Sequence, residues 1–435
     1  ASSSEIQPIP DNCQDYDETL EATKHITFAA LDSREWVHAK LENTSLPTYM
    51  LLPKMIKILK CTEAGESSKH YRNVTQTHKA SSCTLAELIN LISRAINTAY
   101  TEMCEEISKA LFDRDGTLAR YYFRTDTAVT IIHAWHTEHI ECMGSWDYGR
   151  MFETVPKTGL IEAKTNKLAR VLEHRNMRYL LVNMKTGKHS WSRRKRSYRP
   201  NSRSFCVNVA TYSDIIDKHL SIAVIKHGKT IYRQEQGVGM GTKCSKEDAE
   251  DYIDDVDYRR TKTLVDSKRY DDLKQFLLFY RVADDMCGAN GDRLDSLLRE
   301  FEPIDSTGQP VLELKKVNET DDEIVFCDAR LKKDNSGELG WQLYDKAEDM
   351  GSMASKLNRY NHAHTTLANS IHKATFRNEL NRFYTLSKTL PHFLHSAGVM
   401  ICRHIILKHT TTNLNEWCEN FRPPRYVYQQ WQPDE

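Results

Sequence analysis

The sequence predicts an α+β fold with segregated parts, on three observations. Apolar residues at helical spacing dominate both ends of the chain, short strand-like apolar runs concentrate in the middle third, and no segment repeats. The 435 residues correspond to roughly three domains of ordinary size. An apolar content of 40% suffices for packed cores.

The elements follow in order. Residues 1–25 read as a loosely ordered acidic leader. Leu85, Leu88, Leu91, Ile92 and Ile96 share one face of a long amphipathic helix over 84–112. A second helix is expected over 128–142, then a strand at Met143–Asp147, a turn at Val155-Pro156 and a helix from Leu160 to Glu173. Tyr179–Val182 reads as a short strand closed by a Lys-Thr-Gly turn. The continuous apolar run Phe276–Tyr280 has the pattern of a strand buried on both faces, continuing to Ala283 and stopping at Asp284-Asp285. Further strands are expected at Val311–Val317, Glu323–Leu331 and Leu339–Tyr344. Beyond them Phe376, Leu380 and Phe383, then Phe393, Ala397 and Met400, mark helices.

Lysine plus arginine and aspartate plus glutamate number 60 each, but the charges are unevenly placed. Residues 1–50 carry nine acids against three bases, Lys185–Arg203 carries eight bases and no acid, and seven of the eleven residues Glu247–Asp257 are acidic. A basic stripe, not a basic protein, is what phosphates require. Trp191 and Tyr198 among the bases suit stacking as well as backbone pairing, although a solvated loop has the same composition. No stretch approaches the ~18 consecutive apolar residues of a membrane-spanning helix, which excludes that class. Eleven scattered cysteines with no Cys-x-x-Cys point to a reducing intracellular compartment, nucleus or organelle, not to a disulfide framework.

The chemistry concentrates at Asp284-Asp285. Adjacent carboxylates after a buried strand are costly unless a cation compensates them, although aspartate is also common in plain turns. Hard oxygen ligands suit Mg²⁺, and a third carboxylate, Asp147, follows another short strand. The run from Gln236 to Thr242 alternates three glycines, allowing close backbone approach to another molecule. After it Ala249, Tyr252, Ile253 and Val256 define the apolar face of a helix, which leaves the acidic run as its solvated face. His133, His136, His139 and Cys142 drift around a helix at i+3 steps and do not converge on one metal.

These clusters stand in a known order. Asp147-Tyr-Gly-Arg-Met-Phe152, Gln236-Gly-Val-Gly-Met-Gly241 and Val282-Ala-Asp284-Asp285 resemble motifs A, B and C of reverse transcriptases. Leu46-Pro-Thr-Tyr-Met-Leu-Leu-Pro-Lys54, Tyr71-Arg72-Asn73-Val74 with Ser82-Cys83-Thr84, Leu312–Lys316, Phe326-Cys-Asp-Ala329 and Leu343–Lys346 resemble the flanking segments. The form Ser145–Pro156 is similar to that of eukaryotic retroelements of the Penelope-like type.

The resemblance implies a right-hand polymerase with a mostly antiparallel palm sheet and a helical thumb. It divides the chain into an acidic extension (1–45), fingers (46–145), palm (146–335, with a basic fingers insertion at about 165–230) and a helical thumb and tail (336–435). It implies RNA-templated nucleotide addition to a primer, with RNA template, primer and dNTPs as partners. Asp147, Asp284 and Asp285 would hold two Mg²⁺ ions, with Mn²⁺ as the substitute. Lys54 and Arg72 would meet the triphosphate, Phe152 would exclude a ribose 2′-hydroxyl, and Gln236 and Gly237 would underlie the nucleotide. Lys315 or Lys316, with Lys316 preferred, would be the acid at the leaving pyrophosphate. Phe326 would grip the primer, and Arg193, Arg194, Lys195 and Arg196 would bind nucleic acid. Departures from the pattern, Gly239 for proline, Lys246-Glu247-Asp248 after motif B and Val282 for an aromatic, support a second reading. In it the chain is a domesticated, catalytically weak or inactive RNA-binding subunit of a ribonucleoprotein.

Overall fold

The computed structural model describes residues 6–8, 16–31, 40–41, 45–46, 48–53, 71–76, 83–199, 202–227, 230–239, 243–305, 307–345, 360, 362–419 and 421–422. The chain opens with strand β1 (Ile6–Pro8) and helix α1 (Tyr16–Ala30), then β2 (Thr48–Pro53) and β3 (Tyr71–Gln76). The long helix α2 spans Cys83–Asp115, and α3 spans Ala128–Trp135. Strand β4 (Met143–Gly149), a single-turn helix α4 (Met151–Thr154) and α5 (Lys157–His174) follow. Next come β5 (Tyr179–Asn183), β6 (His189–Ser192), β7 (Ser204–Val207), α6 (Val209–Ser221), β8 (Val224–His227) and β9 (Thr230–Gln234). Helices α7 (Ser245–Asp266) and α8 (Tyr270–Lys274) lead into the hairpin β10 (Phe279–Val282) and β11 (Asp285–Ala289). Helix α9 (Leu294–Glu300), strands β12 (Glu313–Lys316), β13 (Glu323–Phe326), β14 (Ala329–Lys333) and β15 (Leu339–Leu343), and helices α10 (Asn369–Thr385), α11 (Leu390–Ile406) and α12 (Thr411–Glu419) complete it. No helix among the described residues is long and apolar enough to cross a membrane.

The architecture is α+β, as the segregated periodicities predict. The central sheet has the order β10-β11-β4-β12, every pairing antiparallel. Its two faces part by residue parity. Trp146, Tyr148, Phe279, Met286 and Leu314 enter the main core with the apolar stripes of α2, α5 and α7. Met143, Cys287 and Ala289 on the other face join a second core with α3 and the sheet β13-β14-β15. Helices α10 to α12 close a third core around Phe376, Met400 and Trp417.

Several expectations are corrected. The leader is partly helical: α1 buries Leu20, Thr23 and Thr27, so residues 16–30 are tied to the body. The helix expected to reach 142 stops at Trp135, because Ile140 must turn into the second core, where its N–H donates to the Gly337 carbonyl at 2.9 Å. Phe276–Leu278 form turns before the strand, and the single strand expected at Glu323–Leu331 is a hairpin, bent at Cys327 with φ 53°.

Candidate active site

Strand register brings the carboxylates together. Asp285 of β11 stands directly opposite Asp147 of β4, and Lys315 of β12 stands opposite Asp147 on its other side. Directly opposite residues of antiparallel strands project from one face, so the three side chains form a row across the sheet. Asp284 lies in the two-residue turn between β10 and β11, and its carbonyl accepts the Tyr148 N–H at 3.2 Å. Ala283, the first turn residue, has φ 52°, a conformation in which a side chain costs energy and glycine is usual. Like charges directly opposite destabilise a sheet, and Lys315 on the other side of Asp147 brings a positive charge into the same row. The three carboxylates at this sheet end are hard oxygen donors, the type that Mg²⁺ or Mn²⁺ takes, although their oxygens do not all lie within 4.8 Å of one another.

Parity corrects one assignment. Lys316 lies opposite Trp146 on the other face of the sheet and pairs with Asp321 at 3.0 Å. Lys315 shares the Asp147 face instead, its ammonium 3.0 Å from Glu313 Oε2 and 3.6 Å from where a Cβ on Gly149 would lie. Phe326 is 1% exposed inside the second core, so its ring cannot touch a primer. Lys54 lies outside the described residues, and Arg72 is placed only by register, opposite Leu52 between β3 and β2.

The glycine run approaches its own chain. Val238 N–H donates to the Phe152 carbonyl at 2.7 Å, and Gly237 N–H to the Val155 carbonyl at 3.0 Å. Gly237 has φ 75°, and a Cβ there would stand 2.4 Å from the Phe152 oxygen. Gly237 and Val238 are thereby clasped to α4 and the residue after it, with Phe152 half-buried beside them and Gln236 exposed.

The acidic run overturns its reading as a solvated face. Asp248, Glu250, Asp251, Asp254, Asp255 and Asp257 are each 3% exposed or less. Helix α5 meets them with a basic stripe. Lys164 bridges Asp248 and Asp251 at 2.8 and 2.7 Å, Lys167 bridges Asp251 and Asp254 at 2.7 and 2.6 Å, and Arg170 pairs with Asp255 at 2.7 Å. Burial alone would lower the Lys164 and Lys167 ammonium groups, but the aspartates reverse this and hold both above the ordinary lysine range. Burial likewise opposes the charge on Asp251, and the two lysines overcome it. Glu250 ends differently: burial outweighs its contact with Arg124 and pushes it up to about 7. Among the described residues one group of three side chains of metal-ligand type, His219, Cys244 and Asp248, brings its ligand atoms within 4.8 Å of one another, and there Lys164 already occupies Asp248. Asp147, Asp284 and Asp285 do not gather that closely. His133, His136, His139 and Cys142 do not gather.

The basic run is not a simple loop. Strands β5, β6 and β7 form a sheet of order β6-β5-β7 whose Leu180, Val182, Phe205 and Val207 enter the main core. Lys185, Lys188, Arg193, Arg194, Lys195, Arg196, Arg199 and Arg203 all lie exposed along it. Trp191 is half-buried and already carries the Arg175 guanidinium 5.4 Å from its ring centre.

No protein-family model and no curated protein matches the sequence. Among solved structures, the chain is similar to telomerase from Candida albicans in complex with the TWJ fragment of telomeric RNA, at a TM-score of 0.45 and 11% identity, over 98% of this chain and 60% of that one. It is similar to apo telomerase from Candida tropicalis at a TM-score of 0.41 and 10% identity, over 89% of this chain and 60% of that one. It is also similar to the BmCPV RNA-dependent RNA polymerase at its elongation state, at a TM-score of 0.40 and 10% identity, over 92% and 30%. The chain thus spans about 60% of the length of the telomerase chains.

Proposed function

We propose that the chain is a template-directed nucleotidyltransferase, an RNA-directed polymerase of reverse-transcriptase type related to retroelement enzymes. The observation that carries this reading is the register pairing of Asp285 with Asp147, with Asp284 in the adjoining turn. Asp147 and Asp284 would hold two Mg²⁺ ions, with Asp285 beside them. Bound there, the ions would supply charge neutralisation and a more acidic primer 3′-hydroxyl.

The protein's own groups then have distinct tasks. Lys315, on the face of Asp147, would stand at a leaving pyrophosphate and takes the role that the resemblance gives to Lys316. Phe152, whose carbonyl accepts the Val238 N–H, would take the place of the aromatic that excludes a ribose 2′-hydroxyl. The exposed bases of the β5–β7 sheet would follow the phosphates of an RNA template. The rival reading, an RNA-binding subunit without catalysis, uses that sheet and needs none of the carboxylates.

Site-directed oxidative cleavage tests the assignment. With Fe²⁺ in place of Mg²⁺, ascorbate and peroxide should cut the chain near residue 147 and near residues 284–285, and Mg²⁺ should suppress both cuts. Cleavage elsewhere, or none, would count against a metal at this row.

A further inference from the structure

We infer that Arg281 is the positioning residue of the carboxylate hairpin, holding the turn that carries Asp284 through a chain of buried alternating charges. The inference rests on the polymerase reading of Asp147, Asp284 and Asp285. Arg281 lies in β10, two residues before the turn, and is 0% exposed. Its main chain is bonded outward, the N–H to the Phe123 carbonyl at 2.9 Å and the carbonyl to the Thr125 N–H at 2.7 Å. Its guanidinium points the other way. Nη1 donates to the Ala283 carbonyl at 3.1 Å, Nε to Asp257 at 3.3 Å, and Nη2 to Asp254.

The Ala283 carbonyl belongs to the residue with φ 52°, and the next carbonyl, that of Asp284, is held by Tyr148 N–H from β4. The turn is therefore gripped from the core by Arg281 and from the Asp147 strand by Tyr148. Behind Arg281 the charges alternate without a break: Asp248, Lys164, Asp251, Lys167, Asp254, Arg281, Asp257, Arg260. None of these side chains is more than 5% exposed. Each charge is neutralised by its neighbours, so the ladder fixes α5, α7 and β10 in one register, and its arginine at 281 sets the turn.

Lysine at 281 would keep the charge but cannot serve three divergent acceptors, because it lacks the planar fork. The test is Mn²⁺ binding, followed by the electron paramagnetic resonance of the free ion, alongside thermal unfolding, for wild type, Arg281→Lys and Asp284→Asn. Supporting groups behind a metal ligand typically change affinity about 10–100-fold. Arg281→Lys should weaken Mn²⁺ binding about tenfold with its cooperative unfolding retained, and Asp284→Asn should abolish the site. Wild-type Mn²⁺ affinity in Arg281→Lys, with Asp284→Asn inactive in binding, overturns the positioning role and leaves the metal site standing. Wild-type affinity in Asp284→Asn overturns the underlying reading. If Arg281→Lys loses its cooperative transition, Asp257→Asn takes its place, keeping an acceptor for Nε while removing one charge. A several-fold weaker Mn²⁺ affinity then supports the role, and an unchanged one overturns it.

Discussion

Asp285 faces Asp147 residue for residue across the β4–β11 ladder, two carboxylates where sheet energetics favour opposite charges. Their adjacency is a matter of register alone. A one-residue slip would send one of them into the main core. The pairing therefore depends on everything that fixes register behind it, from Trp146 Nε1 donating to Asp295 at 2.9 Å to the buried ladder of α5 and α7.

Gly237→Ala should be destabilising. The left-handed backbone alone costs roughly 1–2 kcal/mol for an L residue, and the new Cβ would collide with the Phe152 and Glu153 backbone. A lower chemical-denaturation midpoint and a loop around Gly237 more open to proteolysis are the expected results.

Lys167→Met should lower stability, by up to about 3–5 kcal/mol, because it removes the cation between Asp251 and Asp254 and leaves each with one remaining partner, Lys164 and Arg281. Urea unfolding measures the loss. An exposed pair such as Lys262–Asp266 is the control and should contribute under about 1 kcal/mol.

Glu250 sets a pH dependence of defined sign. Burial raises it to about 7 in the folded chain, against an ordinary value of 4.5. Between those values the folded state binds the extra proton, so this group's contribution is full below about pH 4.5 and is lost as pH rises through 7. The stability difference between wild type and Glu250→Gln should therefore shift against wild type across that window. Unfolding curves at pH 5 and pH 8 decide it.

Changing Arg193, Arg194, Lys195 and Arg196 to alanine should weaken RNA binding similarly for all sequences. The slope of log affinity against log salt should flatten by about 0.7–0.9 for each phosphate that is no longer neutralised. Filter binding between 50 and 200 mM salt reads it. An unchanged slope would assign the run to a protein partner or an import signal.

Much of the architecture is legible in the sequence because apolar periodicity reports burial directly: α2, α10 and α11 fall where their stripes predict. Asp147, Asp284 and Asp285 stand out in the sequence by type and order, and strand register then sets Asp285 opposite Asp147. The acidic helix misleads for a physical reason. Ala249, Tyr252, Ile253 and Val256 already supply an apolar face, and the cations that neutralise the other faces lie some eighty residues earlier, on α5. The i, i+3 spacing of Lys164, Lys167 and Arg170 is the complementary signal. Lys315 and Lys316 differ only in strand parity, which pairing with β4 decides. Phe326, which the resemblance would set against a primer, is instead buried, because the inward face of its strand packs on a core shared with α3.

The central claim is tested most directly by primer extension on an RNA template with Mg²⁺, comparing wild type with Asp284→Asn under conditions where both bind the template equally. The account predicts templated dNTP addition by wild type and a fall of more than about 10²-fold in the variant, a loss larger than removing a mere supporting group gives. Equal extension by the two proteins, or none by a folded, RNA-bound wild type, would contradict it.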